Sequence, residues 1–562
     1  MAKRGHPYPQ VEPGVAALMD ARVLSCGPAV SVARTLARAR AAGAAVVALG
    51  PGRAARVSEL ARAAAWGLDR RPAGEVAWRD LPSLAPGASE IEARRHLRAG
   101  ASLLLVRRRA RVIGVVDRDR VELAPTESSL LPRLEHPGEA RSPSDARVWL
   151  LRVAGKIGEG LGAPAYAVGG FVRDLLLGAP PPDVDLVVEG DGVAFARRLA
   201  EEIGGTVLVH RSFGTASIEG GRAPAGGVGL GRVDVASARR ERYATAGALP
   251  EVEPANLLED LRRRDFSVNA MALALAPDRF GRLLDPLGGQ ADVCRRRLRA
   301  LHPLSFVEDP TRVFRAARYA GRLGLRPDAG TLAAIRLAVE RPGYVALSGQ
   351  RLWREIELAA VEPRARLVFE QLVRWKATSL WNLDRAMPRH LAACERLGRW
   401  ARTAGVAVDP AELTLLALTL GRPAEVVERC LDRLALVGEP RARLEAGALG
   451  GPLARRLEAA RLPPSAVGEL LEAAPPAAAL AAWLRGGPRA RRRIQWYLAH
   501  GRAVRPRLTG RDLLALGVPG GPRVGAALGM LRRHRLDGGA GSVAEERELV
   551  KEWLTSGKGG VR

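Results

Sequence analysis

The 562-residue chain has only four cysteines, Cys26, Cys294, Cys394 and Cys430, and no CxxC pair among them. That spacing supplies neither a structural zinc site nor a disulfide framework, and it predicts buried thiols in a reducing compartment. Aromatic residues are scarce as well, at 4%, so the cores must rest on Leu, Ala and Val. No apolar run approaches the roughly 18 residues of a membrane span, and no hydrophobic signal segment opens the sequence. The expectation is a cytoplasmic protein with no membrane partner. Acidic residues are in deficit, 60 Asp and Glu against 87 Lys and Arg, leaving a net charge of +27 carried almost entirely by arginine. Coding bias toward arginine explains part of that excess, and a polyanionic partner explains the rest, because such a field attracts phosphate backbones. The length is too great for one core and suggests three or four domains.

Residues 20–120 contain an internal repeat. VLSCGPAVSVARTLARARAAGAAVVALG, from Val23, aligns with LPSLAPGASEIEARRHLRAGASLLLVRR, from Leu81. Pro28 matches Pro86, and Gly43 matches Gly100. Each copy has a helix-period run, a short apolar strand (AAVVAL, ASLLLV) and a second strand (ARVSEL, RVIGVV), so two β-α-β units are expected to pack as a pair. The pattern resembles a tandem cystathionine-β-synthase (CBS) motif module, which in its family often binds adenine nucleotides through Gly-x-x-Thr/Ser-x-x-Asp. Here the second copy reads Gly114-Val-Val-Asp117-Arg-Asp119-Arg120, and the first keeps only Ser58. Neither has the carboxylate three residues after a hydroxyl, which favours a spacer or dimerisation role over nucleotide sensing. Beyond the repeat, ELAPTESSLLPRLEHPGEARSPSD is rich in Pro, Ser and Glu, lacks periodicity and reads as a linker.

Residues 165–300 alternate strands and helices, and from about Asp309 onward the pattern is helical. Within the alternating part, Asp183 and Asp185 flank one valine before the run LVV. On a strand, residues two apart face the same way, roughly 6–7 Å apart, and two such carboxylates can clamp divalent cations. Gly169-Gly170, after the apolar AYAV and before FVRDLLLG, form a turn that presents free backbone N–H groups to a phosphate. Asp234, in another alternating strand, is a candidate third carboxylate. Asp265 and Asn269 lie in the Arg-rich segment EDLRRRDFSVNAMAL, where polar residues make little sense as plain core.

In order, GGFVRDLLLG, the Asp183/Asp185 pair, RRDFSVNAMAL, LLDPLGG and EDPTRVFRAARYAGRLGL resemble the class II tRNA nucleotidyltransferase and bacterial poly(A) polymerase family, part of the DNA polymerase β superfamily. The resemblance covers Tyr166–Leu325 and continues more loosely through LSGQRLWREIELA and LTGRDLLALGVPGGPRVGAALGMLRRH. It implies an α+β multidomain chain: a CBS-pair α/β module at 1–125, a linker at 126–145, a polymerase-β-like head at 146–300, a helical neck at 301–365 and an all-α body and tail at 366–562. No DHH triplet or His-Asp dipeptide occurs, so the phosphoesterase and HD hydrolase domains of some relatives are not expected. The resemblance assigns two Mg²⁺ ions to Asp183 and Asp185, with Asp234 helping to activate the attacking 3′-OH. It assigns the triphosphate to Gly169, Gly170 and Arg173. Arg264, Asp265 and Asn269 would contact the incoming nucleotide, with Asp265 on the ribose hydroxyls.

The family's most informative motif is EDxxR, here Glu308-Asp309-Pro310-Thr311-Arg312. Asp309 and Arg312, three apart, would share a helix face. Asp offers only acceptors and Arg only donors, a match for the Watson–Crick edges of cytosine and adenine and a mismatch for uracil and guanine. Arg315 and Arg318, further along, are placed to reach phosphates. The arginine-rich helical half would grip the acceptor arm of tRNA in a salt-sensitive way. Trp353, Trp375, Trp381, Trp400, Trp483 and Trp496 fit helical core spacing better than base stacking. The expected activity is template-independent addition of A, or of the full CCA, to the tRNA 3′ end from ATP and CTP. The Arg-bearing stretch SARRERYATAGALPEVEPANLLEDLRRRDF disfavours CC-only addition. Poly(A) polymerase is the alternative activity. A CBS-regulated RNA-binding protein without catalysis is the alternative of another class, and a homodimer through the CBS module stays open. The Gly-rich segment 220–232 departs from the family and reads as a hairpin.

Overall fold

In the computed structural model, the described residues are 14–121, 143–179, 183–210, 214–223, 229–248, 250–341, 347–380 and 387–556. They fall into two compact units, Met1–Leu347 and Ser348–Arg562, divided inside the segment expected to form the neck. Most of the expected linker lies outside the described residues.

The two repeats fold alike. Strands β1 (Val23–Ser25), β2 (Val46–Ala48) and β3 (Ala54–Arg56) form one sheet; β4 (Ser83–Leu84), β5 (Leu103–Arg108) and β6 (Arg111–Asp117) form another. In each, the first pair is parallel and the second antiparallel. Each has a helix between its first two strands, Val32–Ala41 or Glu90–Arg98, capped by the matching serines Ser31 and Ser89. In the first copy the expected strand ARVSEL is extended only to Arg56, and Val57–Ala63 is a helix whose Glu59 accepts the Arg56 backbone N–H. Val46 and Ala54 from one copy pack with Leu103, Leu105 and Val115 from the other, so the repeats share a core. Asp117, the acid of the second copy's signature region, is held across the pair by Arg56 at 2.8 and 2.6 Å.

The head is built on a seven-stranded sheet, ordered β15-β14-β7-β8-β11-β10-β9. Its strands are β7 (Ala165–Val168), β8 (Val184–Val188), β9 (Thr206–His210), β10 (Thr215–Glu219), β11 (Val233–Ser237), β14 (Ala272–Ala274) and β15 (Leu283–Leu284). A separate two-stranded ribbon joins β12 (Arg239–Arg242) and β13 (Glu251–Pro254). Central β7 reads AYAV because both its faces are covered, and all four residues are buried. Strands β8 and β11 run parallel with Asp185 opposite Asp234. The Gly-rich segment joins the antiparallel neighbours β10 and β11, with a bridge between Arg222 and Gly229; residues 224–228 lie outside the described set.

The repeat module sits directly on the head within the first unit. Gly288, at φ +74°, approaches Gly100 so closely that a Cβ there would lie 2.7 Å from the Gly100 Cα and 2.9 Å from the Arg98 carbonyl. Arg262–Asp119 (3.2 Å), Arg62–Glu308 (3.5 Å) and Arg71–Glu340 (3.0 Å) are further ties between the module and the rest of the unit.

The second unit is all helical from Gly349–Ala360 to Val543–Thr555 among its described residues. Its central helix, Pro476–Arg485, is apolar all round and buried from Ala477 to Leu484. Near the C-terminus, fully buried Glu546 accepts the backbone N–H groups of Arg507 and Leu508 and pairs with Arg535. Trp483 is buried, as a packing role requires; Trp353, Trp375, Trp400 and Trp496 are half-buried, and Trp381 lies outside the described residues. The thiols depart from expectation: Cys394 is buried, Cys26 and Cys430 are half-buried, and Cys294 is exposed at the C-terminal end of helix Gly289–Cys294. All four are free. Among the described residues, no helix is long and apolar enough to cross a membrane.

Candidate active site

One edge of the head sheet opens into a cavity of about 500 Å³. Its geometry begins where β7 ends. Gly169 has φ +67°, which a residue with a Cβ rarely adopts. A Cβ there would also sit 3.0 Å from Arg264 Nη1 and 3.6 Å from Asp185 Oδ2. The glycine therefore turns the chain and lets a carboxylate and a guanidinium approach the backbone. The eight-residue helix Gly170–Leu177 starts immediately, with its N-terminal N–H groups toward the cavity wall that Gly169 and Gly170 form.

Arg173 is buried in that helix and starts a chain of hydrogen bonds. It donates to Asp174 at 2.8 and 3.0 Å and to Asn269 Oδ1 at 2.7 Å. Asn269 Nδ2 donates to Asp265 Oδ1 at 3.0 Å, and Arg315 Nε donates to Asp265 Oδ2 at 2.7 Å. Burial would raise the Asp265 carboxyl, but Arg315, Asn269 and Arg312 outweigh it and hold the group below its usual range. Both oxygens of Asp265 thus have partners, so it acts here as the strut between Asn269 and Arg315.

Asp183 and Asp185 both line the cavity. Strand β8 starts at Val184, so Asp183 is the exposed residue just before the strand and Asp185 is half-buried within it. Asp185 makes no side-chain hydrogen bond among the described residues. Burial raises its carboxyl; Arg264 opposes the rise, while Asp234 and Asp183 add to it. Two hard oxygen donors, one of them an unrelieved anion, suit a hard divalent cation. Asp234 is not itself part of the cavity lining, but strand register sets it beside Asp185, whose carboxyl its charge helps to raise. Its Oδ1 accepts from Ser217 Oγ at 2.6 Å, across from it on β10, and from Arg232 Nε at 2.9 Å. Among the described residues, no group of three or more Asp, Glu, His or Cys stands in a metal-holding arrangement.

The expected helix-face pairing of Asp309 and Arg312 also takes a different form. Helix Thr311–Leu323 starts after Pro310, so Asp309 precedes it and receives the N–H and hydroxyl of Thr311 at 3.1 and 2.7 Å. Both residues nevertheless line the same cavity. Arg312 is anchored by Ser305 Oγ at 2.8 Å, Glu308 at 3.3 Å and the Arg263 carbonyl at 3.1 Å. Of the sequence candidates, Gly169, Gly170, Arg173, Asp183, Asp185, Arg264, Asp265, Asn269, Asp309, Arg312 and Arg315 come together there, whereas Asp234 and half-buried Arg318 do not line it. The structure adds Asp174, Glu241, Tyr243, Arg263, Tyr319 and Arg322. Tyr319 stands among Arg173, Arg315 and Arg322, whose guanidinium carbons lie 5.2, 6.0 and 5.7 Å from its ring centre. All six lie within motifs or stretches named from the sequence, Asp174 in VRD, Arg263 in RRRD, Tyr319 and Arg322 in RVFRAARYAGRLGL and Glu241 and Tyr243 in SARRERY, but none is singled out there.

Glu308 behind Arg312 gives a measurable acid sensitivity. Burial opposes its ionisation, but His302, Arg312 and Arg62 outweigh it and bring the carboxyl down to about 2 from 4.5. A depressed carboxyl stabilises the fold above its ordinary range, and that contribution is lost as pH falls from 4.5 toward 2. The shift corresponds to roughly 3 kcal/mol. Glu308→Gln should be less stable than the parent by that order at pH 7, with the gap narrowing below pH 4.5 and closing only near pH 2; urea unfolding across this range measures it. A gap independent of pH would refute the ion-pair account.

Comparison with known proteins bears on this site. Residues 165–299 match the family described as the poly A polymerase head domain. The A-adding tRNA nucleotidyltransferase of Geobacter sulfurreducens is 36% identical over 72% of this chain and 46% of its own length. The CC-adding tRNA nucleotidyltransferase of Deinococcus radiodurans is 35% identical over 73% of this chain and 94% of its own length. The chain belongs to the tRNA nucleotidyltransferase family. A Thermotoga maritima CCA-adding enzyme complexed with tRNA superimposes with a TM-score of 0.60, at 27% identity, covering 76% of this chain and 99% of the other. The tRNA nucleotidyltransferase fold, a mixed α/β head followed by a helical region, is thus common to them. Against the Geobacter protein, however, the chain spans about half the relative's length. Enzymes of this family generally use divalent metal ions.

Proposed function

We propose that this protein adds nucleotides to the tRNA 3′ end without a template, with terminal A addition as its principal reaction. The observation that carries this reading is one cavity lined by an acidic pair, Asp183 and Asp185, an arginine-rich wall, and the Asp309/Arg312 pair. In the reaction the 3′-oxygen of the tRNA attacks the α-phosphorus of ATP. The bond to the pyrophosphate oxygen breaks, and the 3′-hydroxyl proton leaves to solvent or a nearby carboxylate. Asp183 and Asp185 would hold Mg²⁺, which when bound supplies charge neutralisation at the phosphates. The Gly169-Gly170 turn and the N-terminus of the following helix receive the triphosphate. Arg264 and Arg315 add fixed positive charge where negative charge accumulates. Arg312, already clamped by Ser305, Glu308 and the Arg263 carbonyl, is preorganised to donate to a ring nitrogen, and Asp309 to accept from the neighbouring amino group. Adenine and cytosine offer that edge, and good bidentate contacts discriminate by roughly 1–3 kcal/mol. The protein's work is positioning and electrostatics rather than covalent chemistry.

The preference for A rests on the relatives named A-adding, which reach 43% identity over part of the chain. We also read residues 14–121 as a CBS-type pair, on their matching strand orders and shared core, and the arginine-bearing helices of Ser348–Arg562 as the tRNA grip. Labelled ATP and CTP, separately and together, should be offered to tRNA transcripts ending before CCA, after C and after CC. A single A on the CC-ended transcript alone supports the proposal. Stepwise C, C, A on all three makes the enzyme a complete CCA-adding one, and a long A ladder replaces both with poly(A) synthesis. RNA binding with no incorporation would sink the catalytic reading.

A further inference from the structure

A second cavity, of about 370 Å³, lies between the repeat module and the head and shares no lining residue with the first. Arg79 and His96 reach it from the module, and Arg295, Arg297, Arg299 and His302 from the head. Against these four arginines and two histidines, the lining contains only Asp80 and Asp328, and Asp328 already caps the next helix through the Thr331 N–H at 2.8 Å.

Three of the four arginines are buried or half-buried, and Arg295 is exposed. Arg299 is buried and donates to Asp292 at 2.8 Å and to the Leu287 carbonyl at 2.6 Å. Arg297 shares that same carboxylate and also reaches the Ala99 carbonyl at 3.4 Å, tying the head to the module. One acid therefore serves two guanidinium groups. Arg79 has its Nε buried without a hydrogen-bond partner. Burial and the like charges of Arg53 and Arg336 push its pKa down, the direction an anion would reverse. Arg118 does not line the cavity, but it is 5% exposed, hydrogen-bonds through none of its three guanidinium nitrogens and adds its field to that of Arg299. Arg295 and His96 make no side-chain hydrogen bond or ion pair among the described residues. Fixed guanidinium groups with donors left over are suited to bidentate phosphate binding, and the volume lies within the range of small-molecule pockets. In the second repeat's own signature, Asp117 stands at the hydroxyl position and Arg120 at the acid position, and Asp117 is occupied by Arg56.

We propose that this cavity is a second ligand site, formed jointly by the repeat module and the head, for a small molecule bearing a di- or triphosphate group. Inorganic polyphosphate and a nucleoside triphosphate share that chemistry. The site has a direct line to the first cavity. His302 lines it and pairs with Glu308 at 3.0 Å, and Glu308 holds Arg312 at 3.3 Å. Occupancy is thereby coupled to the residue assigned to read the base, a consequence that rests on the proposed function, whereas binding itself does not.

Equilibrium binding of inorganic tripolyphosphate and, separately, of ATP to the full chain in EDTA tests the site without requiring activity. The wild type should bind one equivalent more of at least one probe than Arg79→Gln combined with Arg295→Glu, whatever the first cavity takes in EDTA, while that variant adds nucleotides to tRNA within about two-fold of wild type when no extra polyphosphate is present. An extra equivalent of ATP but not of tripolyphosphate would identify a nucleotide as the ligand; the reverse would identify an inorganic anion. Equal stoichiometry and affinity in wild type and variant for both probes would overturn the proposal. Coupling is read as a change of at least about three-fold in kcat/KM for ATP when the second site is filled. His302→Phe should remove that change, and its persistence would overturn the coupling.

Discussion

Asp185→Asn should lose nucleotide addition by a factor on the order of 10³ or more, yet melt at a higher temperature than the wild type when no metal is present. The loss follows from removing half of the acidic pair that lines the cavity, since charge stabilisation by a bound metal is worth several kcal/mol. The gain in stability follows from what Asp185 endures in the folded chain. Its carboxylate has no hydrogen-bond donor, and burial disfavours its charge. Arg264 and Arg173 offset this only in part, while Asp234 and Asp183 repel it. A carboxyl raised on folding costs stability above its folded pKa and costs nothing below the ordinary range. The variant's advantage should therefore be fully present at pH 7 and vanish as the pH falls below about 4. Calorimetry in EDTA at both pH values measures it. Adding Mg²⁺ should then raise the melting temperature of the wild type and leave the variant unchanged. A variant that melts below the wild type in EDTA would show that Asp185 serves the fold, and the functional assignment of its charge would fall.

The parts of the site written into the sequence are those whose chemistry is local. Gly169 is recognisable because the chain must turn at φ +67° between an apolar strand and a helix, and few residues other than glycine do so without strain. Asp183 and Asp185 are recognisable by their two-residue spacing at the start of an apolar strand, and both line the cavity although the strand begins only at Val184. Where partners come from elsewhere, the sequence is silent or misleading. The strand register that sets Asp234 beside Asp185 is consistent with its residue type, but its partners Ser217 and Arg232 at Oδ1 are not legible from its own strand. Asp309 and Arg312 have helical spacing, yet the helix begins only at Thr311, so their common cavity depends on how Pro310 turns the chain rather than on a shared face. Tyr319 shares the helix of Arg312 and Arg315, and Glu241 and Tyr243 come from the ribbon end, yet nothing in the spacing of those stretches says that they turn into the same space. The repeat is legible as a period, but its seat on the head depends on Gly100 meeting Gly288 across nearly 190 residues of chain. Local spacing carries no information about such a meeting.

Asp260 shows how much of the site hangs on a residue that looks ordinary in the run LEDLRRRD. It is fully buried, and its two oxygens face two arginines of the cavity wall. Arg263 donates to Oδ1 at 2.6 and 2.9 Å, and Arg264 donates to Oδ2 at 2.9 and 3.3 Å. Burial would raise this carboxyl, but Arg264 and Arg263 outweigh that and hold it below its usual range, so it stays ionised through the neutral region. Removing one partner of a buried ion pair typically costs about 3–5 kcal/mol, because the charge left behind is uncompensated. Asp260→Ala should show that loss in urea unfolding. Arg263 keeps Glu241 at 2.8 Å and the Arg239 carbonyl at 3.0 Å, whereas Arg264 keeps only the Asn269 carbonyl at 3.4 Å among its hydrogen bonds. Arg264 is therefore the side chain set loose, and it is the one against Gly169 and Asp185. The kinetic consequence should be a rise in KM for the nucleotide larger than the fall in kcat, since Asp260 positions a binding group and touches no reacting atom. Asp260→Glu, which keeps the charge, should recover part of the KM defect, and Asp260→Asn, which keeps the shape, should recover less. If Asn restored KM better than Glu, packing rather than charge would be holding Arg264, and the positioning role would be lost.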